Sequence, residues 1–136
     1  MKPVFLDTSG WFAVASAREA RHREAQGAYQ RLVATGAQLV TTNLVVAEMH
    51  AMVLRSHGGA EGVRFLDGLY QDPSHEVVFV DRDLEREAVA RWLRRFSDKR
   101  LSLTDAVSFE VMRTRRIREV LALDKHFEIA GFTLTP

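Results

Sequence analysis

Four acidic residues stand where a polypeptide could put them to chemical use. Asp7 follows the apolar run Val4-Phe5-Leu6, and Asp124 follows Leu121-Ala122-Leu123. Asp105 follows Ser102-Leu103-Thr104, and Glu48 interrupts the apolar stretch Leu44-Val45-Val46-Ala47 and Met49. Carboxylates brought together repel one another, and a hard divalent cation with oxygen ligands, magnesium or manganese, is the natural way to hold them near neutral pH. Such a cluster takes one metal, or two about 4 Å apart, and can activate water against a phosphodiester. The chemistry this set would serve, if the four converge, is phosphodiester hydrolysis.

Each acid also has a structural reading of its own. An Asp at a strand exit commonly caps a turn or helix, and Asp7 before Thr8-Ser9 could do so unaided. Ser102-Leu103-Thr104-Asp105 has the form of a capping box, with an acid in the first turn suiting the helix dipole. Asp81, after Val78-Phe79-Val80, reads as a cap and is left outside the candidate site. Glu48 shares a helix face with Leu44, Ala51 and Met52, so it is expected to be partly buried. It then needs a salt bridge, for example to Arg55, or a cation.

The elements that must position these residues can be read from periodicity. Strand-sized apolar runs occur at Val4–Leu6, Leu39–Thr42, Val77–Val80 and Val120–Leu123, with an edge run at Phe132–Thr135. Helical spacing separates them, giving the alternation of a mostly parallel sheet covered on both faces. The expected fold is three-layer α/β/α with a roughly five-stranded sheet, in one domain over residues 1–136. Leu84, Ala88, Trp92 and Phe96 recur at intervals of four and predict a helix over 83–96. Further helices are expected over 19–34, ended by Gly36, and over 43–56 and 60–71, divided at His57-Gly58-Gly59. In open parallel sheets the ligand site lies off the carboxyl ends of the strands, where Asp7 and Asp124 fall.

Composition narrows the classes. A chain of 136 residues with 46% hydrophobic content can bury a core without staples, and the absence of cysteine excludes disulfides and thiolate sites. No apolar run approaches the roughly 20 residues that span a bilayer, and no secretory signal pattern opens the sequence, so a cytoplasmic protein is expected. The net charge of +1 argues against nucleic-acid binding by overall charge, although the arginines are unevenly spread.

Taken in order, the motifs Phe5-Leu6-Asp7-Thr8-Ser9, Thr42-Asn43-Leu44-Val45-Val46-Ala47-Glu48, Leu103-Thr104-Asp105-Ala106 and Leu123-Asp124-Lys125-His126-Phe127, with Ala130-Gly131-Phe132, resemble the PIN-domain ribonucleases. In size and layout the chain is similar to the VapC-like toxins of type II toxin–antitoxin systems. The resemblance implies an endoribonuclease dependent on Mg²⁺ or Mn²⁺, with Asp7, Glu48, Asp105 and Asp124 as catalytic metal ligands and Ser9 and Thr104 supporting them. It also implies a homodimer and an antitoxin partner. A housekeeping RNA-processing nuclease, or an inactive PIN-like binding domain, are the other readings of the same motifs.

The remaining candidates are weaker. His22, His50, His57, His75 and His126 show no paired helical spacing for zinc, and none is proposed as catalytic. The arginines at 91, 94, 95 and 100, and at 113, 115, 116 and 118, could hold RNA phosphates, with Arg94 and Arg95 foremost. The alternative is a solvated face paired with Glu85, Glu87, Glu110 and Glu119. Trp11 and Phe12 are expected in core or dimer packing. A dehalogenase-type phosphatase would want Asp-x-Asp where Asp7-Thr8-Ser9 stands, a receiver domain would want an acidic pair there, and no G-x-G-x-x-G follows Asp7.

Overall fold

Val4, Phe5 and Leu6 are all fully buried, so the strand they form, β1 (Pro3–Leu6), has apolar neighbours on both faces and sits at the centre of its sheet. The computed structural model describes residues 2–136; Met1 lies outside the described residues. β1 pairs with β2 (Gln38–Thr42) on one side and β4 (Glu119–Leu121) on the other. β3 (His75–Val78) and β5 (Thr133–Thr135) form the edges, in the order β3-β2-β1-β4-β5, with every pairing parallel.

Parallel neighbours require crossovers, and the helices supply them. α1 (Thr8–Ala15) and α2 (His22–Ala34) join β1 to β2, and α3 (Asn43–His57) and α4 (Gly59–Gln71) join β2 to β3. α5 (Arg82–Ala88), a π-helical turn (Val89–Leu93) and α6 (Leu103–Arg115) lead to β4, and α7 (His126–Ile129) leads to β5. α1 packs on α2 and α3, and α3 on α4, while α5, the π turn and α7 pack on α6. Right-handed crossovers put these two groups on opposite faces, giving the three layers expected.

Three expectations are corrected in detail. β3 begins two residues earlier than its apolar run, because its ladder pairs His75–Val78 with Leu39–Thr42. Val80 N–H instead donates to Asn43 Oδ1 at 2.8 Å, and Phe79 is 72% exposed. The helix expected from residue 19 starts at His22, whose Nδ1 lies 2.7 Å from the Ala13 carbonyl oxygen and anchors its first turn to the end of α1. The helix over 83–96 contains the π turn. A strict interval of four drifts around an α-helix of 3.6 residues per turn, and the wider i→i+5 turn returns Trp92 and Phe96 to the buried stripe.

Two contacts govern how the layers approach. Phe109, fully buried on α6, meets Trp92, Phe127 and Phe132 with ring centroids 5.3, 4.9 and 5.9 Å apart. Burying a side chain of this size contributes about 2–3 kcal/mol. On the opposite layer α1 rests directly on β4 through Gly10. A Cβ there would lie 2.5 Å from the Leu121 carbonyl oxygen, so only glycine allows this approach.

Candidate active site

β1 and β4 are neighbours, yet the chain leaves them for opposite sides of the sheet, and at such a switch point their carboxyl ends open a crevice. Asp7 stands at the end of β1 and caps α1. Its Oδ2 accepts from Ser9 N–H at 3.2 Å and Ser9 Oγ–H at 2.7 Å. Ser9 Oγ in turn accepts from the backbone N–H groups of Leu123 at 2.9 Å and Asp124 at 3.2 Å. One hydroxyl thus ties the exits of β1 and β4 together.

Asp105 comes from the opposite layer. It lies in the first turn of α6 and completes the capping box, its N–H donating to Ser102 Oγ at 3.0 Å and its Oδ2 accepting from Ser102 N–H at 3.1 Å. The caps proposed for Asp7 and Asp105 are therefore both real, and they aim the two carboxylates rather than removing them from the site. Asp124 Oδ1 accepts from His126 N–H at 2.9 Å in a tight Asx turn. That turn brings His126 Nδ1 to 3.3 Å from Asp124 Oδ1 and 3.4 Å from Asp105 Oδ2. Neither contact has hydrogen-bond alignment, so this buried nitrogen has no partner among the described residues. One ligand atom from each of Asp105, Asp124 and His126 fall within 4.8 Å of one another.

Burial dominates the electrostatics. Asp7 is 5% exposed, and desolvation, with the charges of Asp105 and Asp124 adding to it, pushes its carboxyl up to about 6 against the Ser9 hydrogen bonds. Asp105 is also raised, first by burial and then by Asp124, while Ser102 and His126 pull it down. The carboxylates of Asp105 and Asp124 and the unpartnered His126 nitrogen, with the raised Asp7 carboxyl close enough to feel both aspartates, form a donor set that a divalent cation fits. Its charge would replace the solvation that burial removes.

Glu48 differs from expectation. It is exposed rather than partly buried, because α3 turns Val45, Val46, Met49 and Val53 inward and leaves residue 48 at the rim. It makes no ion pair among the described residues; its Oε1 accepts from Thr8 Oγ–H at 2.8 Å, which places it beside Asp7-Thr8. Thr104 is corrected too: among the described residues its hydroxyl binds no carboxylate, and Ser102 and Thr8 hold Asp105 and Glu48 instead. The sequence marked Ser102 as the cap of Asp105, but not the parts of His126 and Thr8. The Asp-x-His spacing of 124–126 was the available signal, since an Asx turn folds the third residue back over the first.

The arginines divide. Arg91 reaches Glu87 at 3.7 Å and Glu110 at 3.2 Å, and Arg113 reaches Glu110 at 2.8 Å. Glu110 is a buried anchor rather than a surface partner. Burial alone would raise its carboxyl, but hydrogen bonds from Arg113 and Trp92 and the charges of Arg113 and Arg91 hold it below the usual range. Arg94 and Arg95 are both exposed; Arg94 lines a groove with Arg82 and Arg86, and the Arg95 guanidinium lies 5.3 Å from the Phe96 ring centroid.

Residues 4–132 match the family described as the PIN domain. The chain belongs to the PIN-domain family. It is 35% identical over 130 residues, covering 95% of each chain, to the 23S rRNA-specific endonuclease VapC20 of Mycobacterium tuberculosis. The crystal structure of VapC20, described as a Sarcin-Ricin loop cleaving toxin, superposes with a TM-score of 0.84 and 34% identity, covering 98% of this chain and 99% of that one. FitAcB of Neisseria gonorrhoeae shares the fold at a TM-score of 0.71 and 14% identity, over 98% of this chain and 96% of that one. The resemblance to VapC-like PIN-domain ribonucleases read from the four motifs therefore stands.

Proposed function

We propose that this chain is a Mg²⁺- or Mn²⁺-dependent endoribonuclease, the toxin of a type II toxin–antitoxin pair, acting on large-subunit ribosomal RNA in the cytoplasm. The observation that carries the reading is that Asp105, Asp124 and His126 each place a ligand atom within 4.8 Å of the others, beside Asp7, whose carboxyl is pushed up to about 6 by burial and by the charges of Asp105 and Asp124. The named activity of a relative with 35% identity over 95% of its length supports RNA as the substrate.

In this reading Asp7, Asp105 and Asp124 hold the cation, with Glu48 and His126 beside them. A divalent ion bound there supplies charge to offset that developing on the phosphodiester and acidifies a water for attack. The protein's own part is orientation. Ser9 fixes Asp7 against the β4 exit, Ser102 fixes Asp105, and Thr8 fixes Glu48, so three hydroxyls from two layers set the carboxylates. His126 Nδ1, 3.4 Å from Asp105 Oδ2 and 3.3 Å from Asp124 Oδ1, would offer a further ligand once a bound cation displaces any proton from it.

A homodimer and an antitoxin peptide accompany this function. A protein partner is supported by an apolar groove between α3, α4 and the edge strand β3, where Tyr70 and Phe79, 65% and 72% exposed, stand beside Val46, Leu66 and Val77. No helix among the described residues is long and apolar enough to cross a membrane.

The test is cleavage of ribosomes and of isolated RNAs in Mg²⁺ or Mn²⁺, with and without EDTA, beside Asp7→Asn and Asp105→Asn. Cutting of large-subunit RNA that needs metal and is lost in both variants is expected. Absence of cutting in every metal, or its persistence in both variants, overturns the proposal.

A further inference from the structure

We propose that the outer face of α5 and its π turn is a second RNA contact, a groove for the phosphate backbone made by Arg82, Arg86 and Arg94. It rests on the ribonuclease reading and extends the substrate's footprint beyond the acidic crevice. The three side chains line one open groove with Glu85, Val89 and Ala90. All three are exposed, and among the described residues none lies within ion-pair distance of an acid. That distinguishes them from Arg91, Arg113 and Arg115, each held by a glutamate. With Glu85 the only acid in the lining, the groove carries an excess of positive charge. The planar donor fork of arginine matches phosphate oxygens.

Straight α-helical geometry would not assemble this set. Each step of four residues advances about 40° around an α-helix, so twelve residues would carry Arg94 about 120° from Arg82. The π turn Val89–Leu93 rotates less per residue and brings Arg94 back toward the row begun by Arg82 and Arg86. The inner side of the same turn is fixed. Trp92 Nε1–H donates to Glu110 at 3.1 Å, and Arg91 Nε reaches the same carboxylate at 3.2 Å. Glu110 belongs to α6, the helix that carries Asp105, so the turn that aligns the arginines is clamped to an element of the acidic crevice. Arg82 follows the Asp81 cap just past β3, on the carboxyl edge of the sheet where Asp7 and Asp124 also stand.

An acidic crevice repels a polyanion, and a cationic groove that begins at Arg82, just past β3, would supply the missing attraction. Guanidinium groups that contact phosphate oxygens carry no sequence information, so the contact is indifferent to sequence and sensitive to salt.

The test measures binding of a structured ribosomal RNA fragment in Mg²⁺ across a salt series. It uses Asp7→Asn protein with and without Arg82→Gln, Arg86→Gln and Arg94→Gln together. Each lost phosphate contact should lower the slope of log K against log[salt] by roughly 0.7–0.9, so the triple change should lower it by roughly 2.1–2.7, with affinity falling at least about tenfold. In the cleavage-competent protein KM should rise with kcat nearly unchanged. Three lysines should restore most of the slope, while Arg95→Gln should leave it intact. Because the residues are exposed, an unchanged melting temperature checks the fold. If the parent binds RNA and the triple variant matches it in affinity and slope, the groove is overturned and the nuclease reading survives. If the arginines instead govern binding of an acidic peptide with RNA affinity unchanged, the groove assignment is equally overturned. A parent that neither binds nor cuts RNA overturns both.

Discussion

Gly10→Ala probes the contact on which the crevice is built. A Cβ at this position would lie 2.5 Å from the Leu121 carbonyl oxygen, 2.6 Å from its carbon and 2.8 Å from Ala122 N. All three are backbone atoms of β4 and its exit, so no side chain can swing aside, and α1 must lift. Overpacking of this kind costs about 1–3 kcal/mol, toward the upper end where backbone must move. Alanine regains about 1 kcal/mol from its better helix propensity. The net is a loss of about 2 kcal/mol, or a melting temperature lower by roughly 8 °C for a domain of this size. Lifting α1 also stretches Asp7 N–H to Leu121 O, now 3.1 Å, and the Ser9 Oγ contacts to Leu123 and Asp124. Cation affinity should therefore fall together with stability. Thermal melting in EDTA and a Mn²⁺ titration measure the two effects. A variant that melts higher, as helix propensity alone would have it, with unchanged Mn²⁺ affinity, refutes the reasoning.

Asp7→Asn should stabilise the protein in EDTA. The folded carboxyl is pushed from 3.8 up to about 6, so its stabilising contribution is complete below pH 3.8 and is lost as pH rises through about 6. A shift of this size corresponds to about 3 kcal/mol at neutral pH, so the variant should melt higher than the parent at pH 7.5 but not at pH 3.5; an equal difference at both values contradicts the burial argument. Ser9→Ala removes the hydroxyl joining Asp7 to the β4 exit and should weaken Mn²⁺ binding roughly 10–100-fold, as loss of a supporting hydrogen bond does at other metal sites. Unchanged affinity would show that Ser9 does not orient the ligands. Glu110→Gln withdraws the charge that clamps the π turn to α6 and should lower the melting temperature by roughly 5 °C, a modest cost because the arginines remain partly solvated. An unchanged melting curve would count against the clamp.

Much of the fold was legible because its signals are local. Val4-Phe5-Leu6 had to be buried on both faces, and the alternation of short apolar runs with helical stretches left a parallel sheet as the natural solution. The limits of β3 were not legible, since they depend on its partner: Asn43 takes the N–H of Val80 out of the ladder. The π turn was hidden because an interval of four is compatible with an α-helix until the partner helix is known. For the site, strand exits marked Asp7 and Asp124, and a capping box marked Asp105. Glu48 was read onto the wrong surface because Leu44 and Met52, its apparent companions, are themselves only half-buried. Thr104 came from the resemblance alone, whereas the capping-box spacing had already marked Ser102 as the partner of Asp105; nothing local pointed Thr8 at Glu48, forty residues away. His126 was discounted for lack of a second histidine, whereas its neighbours in space are two aspartates. Glu110 looked like a surface partner of arginines, and only the indole of Trp92 reveals it as buried.

In the proposed function Asp7, Asp105 and Asp124 form one divalent-cation site. Mn²⁺ binding followed by electron paramagnetic resonance at pH 7.5, on the parent and on the Asp7→Asn, Asp105→Asn and Asp124→Asn proteins, tests it without any RNA. Saturable binding by the parent and a large loss of affinity in each of the three variants are expected. Binding that survives all three substitutions, or a parent that binds no Mn²⁺, would contradict it.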